Sequence, residues 1–180
     1  RALQGAQILV VGEDGQILDK GAAGEILCRC DFYPDFTYHG DDEKRRRAEK
    51  LGLITIGDVG YLDEDGFLYL SGRANDMIIF GGSNIYPAET EAELLKIDGV
   101  ADCAVFGVPE PDMGEQVCAH VQMRDGFPRD REAILKHLRE HLASYKVPRI
   151  LEFADTLPRE DTGKIFKRKL REPYWEGLER

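Results

Sequence analysis

Residues 57–91 read GDVGYLDEDGFLYLSGRANDMIIFGGSNIYPAETE, and this stretch decides how the fold is divided. The acidic, glycine-containing turn at Asp63–Gly66 joins two mainly apolar runs, so it predicts a β-hairpin. The pattern then changes to a short apolar strand at Asp76–Phe80 and a glycine loop over residues 81–84. We therefore expect two structural parts that meet close to Asp76.

Apolar spacing predicts the elements around this stretch. Pro87 suits the first turn of a helix over Ala88–Ile97, with Leu94 and Leu95 facing inward. The other predicted elements are strands at Gln7–Val11, Gly24–Cys30, Asp102–Val108, Gln116–Met123 and Ile150–Phe153, and helices at Asp41–Lys50, Asp130–Ala143 and Ile165–Arg171. This order predicts an α+β fold, with a β-rich part over residues 1–75 and a compact mixed α/β domain over residues 76–180.

Composition and charge exclude two classes of partner. The net charge of the 180 residues is −10, which disfavours broad electrostatic attraction to nucleic acid or to an anionic membrane. No apolar stretch is long enough to form an integral membrane segment. The charge is uneven, because residues 159–171 carry six basic and two acidic side chains. That segment is either a solvated helix face or a place where a small polyanion binds.

The cysteines and histidines do not show the spacing of a metal site. Cys28 and Cys30 lie two residues apart in a predicted strand, so they share one face and cannot easily bridge each other. We interpret these two cysteines, together with Cys103 and Cys118, as reduced core residues of a cytoplasmic protein. We expect no metal site in the chain.

Three short motifs contain residues suited to chemistry or ligand binding. In GDVG, Asp58 can accept two hydrogen bonds from a vicinal diol such as that of ribose, or it can be a turn aspartate that binds local backbone amides. At 81–82, two glycines allow a backbone to approach a ligand closely, or simply form a tight turn. In PREDTGK, Lys164 can compensate charge that develops in a reaction, or it can be an ordinary exposed lysine.

In this order and at this spacing, the motifs GDVG, GRAND, GGSNIYPAE and LPREDTGK resemble the late motifs of the adenylate-forming enzymes. These include acyl-CoA synthetases, peptide synthetase adenylation domains and luciferases. The resemblance implies that Asp58 binds both ribose hydroxyls of ATP and that Arg73 helps to hold the same ribose. It implies that Asp76 is the hinge about which a smaller C-terminal domain rotates between two half-reactions. Gly81 and Gly82 are then candidates for contact with CoA.

The resemblance also gives Lys164 a catalytic role. During adenylation an anionic carboxylate attacks the α-phosphate of ATP, and Lys164 is implied to bridge the two anionic groups. The implied substrates are a small carboxylic acid, ATP and CoA. Residues 1–75 are then the distal, β-rich end of a large N-terminal domain. Residues 1–180 contain no phosphate loop, so we expect the Mg²⁺ and phosphate sites upstream of Arg1. The 180 residues alone should therefore not adenylate an acid.

Within the superfamily, the form GGSNIYPAE is closest to the acid–CoA ligases, although Thr90 stands where these usually carry an aliphatic residue. Asp35–Arg45 resembles ligases of fatty acids, bile acids or steroids. Lys146, Pro148 and Arg149 lie where related ligases often place residues near the CoA nucleotide. Two alternatives stay open: a peptide synthetase adenylation domain, and a stand-alone non-enzymatic module that binds CoA or a nucleotide.

Overall fold

The fold is taken from a computed structural model, which describes residues 1–178. The chain divides into two compact units, Arg1–Asn75 and Asp76–Arg180, and each unit has its own sheet. Strands and helices are mixed, so the predicted α+β class is confirmed. In residues 1–178, no helix combines the length and the apolar character that a membrane crossing requires.

The first unit is an antiparallel sheet with one short helix. Its elements are β1 (Ala6–Val11), β2 (Gly24–Cys30), α1 (Asp42–Ala48), β3 (Glu49–Lys50), β4 (Leu53–Ile54), β5 (Asp58–Leu62) and β6 (Leu68–Arg73). The strands follow the order β3-β4-β2-β5-β6, and β1 pairs with β2. Val11, Leu27 and Leu53 form a buried cluster in its core. The predicted hairpin is present, and the Asp63 carboxylate accepts a 2.8 Å hydrogen bond from the Phe67 amide across its turn.

The second unit combines a five-stranded sheet with helices. Its elements are β7 (Ile78–Phe80), β8 (Ser83–Ile85), α2 (Pro87–Leu94), β9 (Val100–Glu110), β10 (Gly114–Met123), α3 (Arg131–His141), β11 (Ile150–Phe153) and α4 (Lys167–Arg171). The order is β11-β10-β7-β8, with β9 paired to β10. Only β11 runs parallel to its neighbour β10 among these described pairs. The core of this unit is larger, and α2, α3 and the sheet all contribute to it.

Helix α3 illustrates how local sequence produces this packing. The Asp130 carboxylate caps the helix by accepting a 3.0 Å hydrogen bond from the Ala133 amide. Ile134, Leu135 and Leu138 then recur at helical spacing and are buried. The predicted apolar stripe therefore faces the core.

The structure corrects several predicted boundaries. Asp76 does not open a strand, because it ends a short 3₁₀ turn over Ala74–Asp76 and β7 begins at Ile78. The predicted glycine loop is shorter than four residues, since its last two residues belong to β8. Leu95 is 52% exposed, because α2 ends at Leu94 and the next residue points about 100° away around the helix axis.

The helices predicted at Asp41–Lys50 and Ile165–Arg171 were also too long. Helix α1 ends at Ala48, because Glu49 already has an extended backbone and continues into β3. Helix α4 begins at Lys167 rather than Ile165, because Ile165 makes a β-bridge with Arg159. Short elements of this kind are decided by their partners and not by their own apolar spacing.

The cysteines are all free, but they do not all lie in the core. Cys103 and Cys118 are buried, and burial raises the pKa of each thiol to about 12. These two thiols therefore stay protonated and unreactive near neutral pH. Cys30 is half-buried and Cys28 is exposed, so the prediction that Cys28 is a core residue was wrong.

We predict that Leu138→Ala lowers the unfolding free energy of the second unit by about 2–5 kcal/mol, because Leu138 is fully buried and its removal leaves a cavity. Urea denaturation, monitored by the fluorescence of the single tryptophan Trp175, measures this free energy of unfolding. Leu95→Ala, a leucine change at an exposed position, is the matched control and should change it by less than about 0.5 kcal/mol. Equal effects of the two variants would contradict the prediction.

Candidate functional site

Asp58 and Arg73 lie directly opposite each other on β5 and β6. The Arg73 Nε atom is 3.3 Å from Asp58 Oδ1, so the two predicted ribose-binding residues form an ion pair. The Ala74 amide continues the ladder by donating a 2.8 Å hydrogen bond to the Gly57 carbonyl. An ionised carboxylate offers about four acceptor positions, so pairing with one guanidinium nitrogen leaves capacity for a diol. The arrangement can therefore hold two adjacent hydroxyl groups.

Gly81 and Gly82 form the two-residue turn of the β7–β8 hairpin. Phe80 pairs with Ser83, and the φ angles of the two glycines are +54° and +79°. Two successive positive φ angles are those of a type I′ turn, which glycine adopts without the strain that a Cβ atom would bring. A Cβ added to Gly82 would meet nothing within 4 Å. The backbone at Gly82 is thus open to a ligand.

A buried carboxylate holds this hairpin against β10. Glu115 Oε2 accepts a 3.0 Å hydrogen bond from the Ile79 amide, and the Gly81 amide donates a 2.9 Å hydrogen bond to the Met113 carbonyl. A Cβ at Gly107 would lie 2.5 Å from Glu115 Oε2, so the glycine makes room for the carboxylate. The sequence prediction missed the role of Glu115. The available signal was an acidic residue close before the apolar run Val117–Ala119 of the same strand.

Lys164 projects from a small turn. The Glu160 amide donates a 2.8 Å hydrogen bond to the Lys164 carbonyl, and the Gly163 amide donates one of 2.9 Å to the Glu160 carbonyl. Gly163 has a φ of +85°, which the turn requires. Lys164 is exposed, and its ammonium has no ion-pair partner in residues 1–178. The loop therefore fixes the backbone of Lys164 and leaves its charge available.

Two ion pairs hold the segments on either side of this loop. Arg159 pairs with Asp102 on β9. After the loop, the Lys167 ammonium is 2.7 Å from Glu91 Oε1 of α2, and the same oxygen accepts a 2.8 Å hydrogen bond from the Val105 amide. The basic segment 159–171 is thus partly neutralised inside its own unit. Arg159 and Lys167 therefore position the loop, and the sequence did not reveal their distant acidic partners.

The three residues predicted near the CoA nucleotide have different surroundings. The Lys146 ammonium contacts both Glu89 carboxylate oxygens, at 2.8 Å and 2.6 Å. Pro148 is buried. The Arg149 guanidinium lies 4.9 Å from the ring centroid of Phe80, next to the glycine turn, and it lines a cleft of about 590 Å³. Arg149 is therefore the cation of this group that lies beside the hairpin.

Thr90 replaces an aliphatic residue without leaving an unsatisfied hydroxyl group. The side chain is fully buried, and its Oγ1 donates a 3.2 Å hydrogen bond to the Lys146 carbonyl. A buried hydroxyl that is hydrogen-bonded avoids most of the cost of leaving water. The departure from the superfamily pattern is thus compatible with the packing of α2.

Known proteins resemble this chain along nearly its whole length. Residues 89–164 match the AMP-binding enzyme C-terminal domain. The chain is 37% identical over 174 residues to the long-chain-fatty-acid–CoA ligase FadD13 of Mycobacterium tuberculosis, covering 97% of this chain and 34% of that protein. It is 40% identical over 169 residues to a feruloyl-CoA synthase of an Amycolatopsis species, covering 93% of this chain and 34% of that protein.

Solved structures give the same result. ATP-bound MatB from Rhodopseudomonas palustris matches with a TM-score of 0.88 at 34% identity, covering 99% of this chain and 36% of that chain. The amide bond synthetase McbA from Marinactinospora thermotolerans matches with a TM-score of 0.86 at 36% identity, covering 94% of this chain and 35% of that chain. Fold and sequence thus point to one superfamily.

These likenesses identify the class, because over nearly its whole length the chain is similar to adenylate-forming enzymes, as the sequence resemblance predicted. Within that class it carries the AMP-binding enzyme C-terminal domain over residues 89–164. The chain spans about a third of the length of the curated relatives that it matches.

Proposed function

We propose that this chain is part of an ATP-dependent, AMP-forming carboxylic acid–CoA ligase. The enzyme would convert an acid and ATP to acyl-AMP and pyrophosphate, and then transfer the acyl group to CoA with release of AMP. The observation that carries the proposal is identity of 37% and 40% to two CoA ligases over more than nine-tenths of the chain. A peptide synthetase adenylation domain is not favoured, because the similar curated relatives are named as CoA ligases.

The ribose-binding role is proposed for Asp58 and Arg73. Support comes from their direct pairing across β5 and β6 and from the 3.3 Å ion pair between them. Arg73 orients the carboxylate and supplies a positive charge beside the nucleotide, and Asp58 accepts the two ribose hydroxyls. Mg²⁺ is part of the proposal as the ion that accompanies ATP, and its site and the phosphate-binding groups are proposed to lie outside residues 1–180.

Lys164 is proposed to act in adenylation and the glycine hairpin in thioester formation. An exposed ammonium on a loop held by Arg159 and Lys167 is suited to bridging a carboxylate and an α-phosphate. Gly82, with open space where a Cβ would lie, is suited to backbone contact with the pantetheine chain of CoA. Asp76 is the proposed hinge, because the boundary between the two compact units falls between Asn75 and Asp76.

The proposed substrate is a carboxylic acid as a chemical class. Relatives of similar identity are named for a long-chain fatty acid, sulfoacetate, 2-succinylbenzoate and ferulate, so likeness alone does not select one acid. The fatty-acid or bile-acid/steroid assignment from Asp35–Arg45 stays a prediction. A cytoplasmic location is also part of the proposal, supported by four free cysteines.

The proposal is tested with the complete protein, ATP, Mg²⁺, CoA and a panel of long-chain, aromatic and short carboxylic acids. We expect acid-dependent release of AMP and pyrophosphate, with acyl-CoA detected by mass spectrometry. The isolated 180 residues are expected to form no acyl-AMP. Production of ADP instead of AMP would contradict the proposal. Acyl-AMP that reacts with an amine and not with CoA would favour an amide synthetase, the activity for which McbA is named.

A further inference from the structure

We propose that Glu93 of α2 and His137 and His141 of α3 form a binding site for a divalent transition metal, with Zn²⁺ as the ion that suits them best. One carboxylate oxygen and one nitrogen from each imidazole lie within 4.8 Å of one another. All three residues belong to the second unit, and none of them has a proposed role in the CoA-ligase reaction. The inference is therefore independent of the proposed function.

The distances are close to those of a metal site. Four ligands at zinc–ligand lengths of about 2.1 Å in a tetrahedron lie about 3.4 Å from one another. Glu93 Oε2 is 4.0 Å from His137 Nε2. The rings of His137 and His141 are stacked, with centroids 4.3 Å apart. Small side-chain rotations would therefore bring the donor atoms to coordination distance without a shift of either helix.

Two polar atoms of this cluster, one from each helix, lack a hydrogen-bond partner among the described residues. Glu93 Oε2 and His137 Nε2 are buried, and neither has a hydrogen-bond partner in residues 1–178. Their separation of 4.0 Å is too long for a hydrogen bond between them. Buried polar atoms without a partner are uncommon, and each calls for a reason such as a bound ion or water. A shared metal ion would satisfy both atoms at once.

Neighbouring groups orient the other ligand atoms. His141 Nδ1 lies 2.8 Å from the His137 carbonyl oxygen, which can only accept, so Nδ1 carries the proton and donates. In the neutral imidazole, Nε2 then presents its lone pair, as metal-binding histidines do. Glu93 Oε1 accepts a 2.6 Å hydrogen bond from Lys96, which leaves Oε2 to face the histidines.

The ligand set indicates which ion binds. Two imidazoles and one carboxylate form a set that zinc uses in proteins, with the fourth position taken by water. Two histidines four residues apart share one face of a helix, so α3 can present both to one ion. The sequence interpretation treated the histidines as scattered and missed this spacing. A bound ion would join α2 to α3, and α2 directly follows the β7–β8 hairpin.

Metal binding is tested on the complete, tag-free protein after treatment with a chelator. Calorimetric titration with Zn²⁺ is expected to show one site per chain, and Co²⁺ is expected to give the visible absorption of a four-coordinate ion. His141→Ala and Glu93→Gln should each weaken Zn²⁺ affinity by about tenfold or more. His141 is exposed, so its replacement should leave the fold intact. The melting temperature of the wild type should rise with Zn²⁺ concentration.

His39→Ala and Glu140→Gln are matched controls, because both side chains are exposed and neither belongs to the cluster. They should bind Zn²⁺ as the wild type does. Equal affinity of His141→Ala and the wild type would overturn the proposal and assign any binding to another site. Absence of calorimetric and Co²⁺ signals at millimolar metal would also overturn it.

Discussion

Replacing Lys164 by Ala in the complete enzyme is expected to slow acyl-AMP formation by about 10²–10³-fold. The conversion of supplied acyl-AMP to acyl-CoA should change little. The physical reason is that the first half-reaction brings two anionic groups together, whereas the second begins after pyrophosphate has left. The exposed ammonium of Lys164 has no ion-pair partner in residues 1–178, so it is free to compensate that charge.

Separate assays measure the two half-reactions. Acid-dependent exchange of pyrophosphate into ATP reports adenylation, and formation of acyl-CoA from synthetic acyl-AMP reports thioester transfer. Lys169→Ala is the matched control, since Lys169 is an exposed lysine on α4 of the same basic segment. It should leave both rates within about twofold of the wild type. Equal loss of both half-reactions in Lys164→Ala would contradict a role confined to adenylation.

The structure also explains why this variant should fold. Neighbouring basic residues hold the loop, since Arg159 pairs with Asp102 and Lys167 pairs with Glu91. Lys164 contributes its backbone carbonyl to the turn, and Ala supplies the same carbonyl. An unchanged melting temperature beside a large loss of adenylation would therefore separate a chemical role from a structural one.

Sequence alone predicted the elements that are specified by residues close together in the chain. Helix α3 was predictable because Asp130 supplies a cap and the leucines recur at helical spacing. The hairpin at Asp63–Gly66 was predictable because its turn residues define it. By contrast, β8 forms because it pairs with the three-residue strand β7, and α4 starts late because Ile165 makes a β-bridge with Arg159. Such pairing leaves little trace in a window of a few residues.

The candidate site shows the same limit. The motifs named Asp58, Arg73 and Lys164, and the fold places the first two opposite each other. The sequence did not show that Glu115 holds the glycine hairpin or that Glu91 holds the segment after Lys164. Each of these carboxylates acts on a residue more than thirty positions away, so only the tertiary structure brings the partners together. Site roles carried by a motif are thus easier to predict than the groups that support them.

The proposed site residues are divided between the two units. The proposed ribose pair belongs to the first unit, whereas the proposed catalytic lysine and the glycine hairpin belong to the second. A reaction with two half-reactions can use one nucleotide-binding surface and alternate the groups presented to it. The connection at Asp76 then becomes the residue at which a small change should have the largest effect on coupling.

Replacing Asp76 by Pro is therefore expected to preserve one half-reaction and to slow the other by more than about 10²-fold. Proline fixes its own φ near −65° and restricts the preceding residue, here Asn75. If rotation of the C-terminal domain depends on these torsions, proline would hold the two units in one of their two arrangements. The 3₁₀ turn over Ala74–Asp76 keeps Asn75 in the helical region, which a following proline disfavours, so the arrangement without this turn is the one expected to persist.

Asp76→Ala is the control, because alanine removes the carboxylate but keeps both torsions free. It should retain both half-reactions if the backbone at this position, and not the side chain, supplies the hinge. Pyrophosphate exchange and thioester formation from synthetic acyl-AMP are measured for both variants, together with their melting temperatures. Two intact half-reactions in Asp76→Pro would move the hinge to another residue. Two lost half-reactions at an unchanged melting temperature would assign Asp76 a role in both steps, which a hinge alone does not provide.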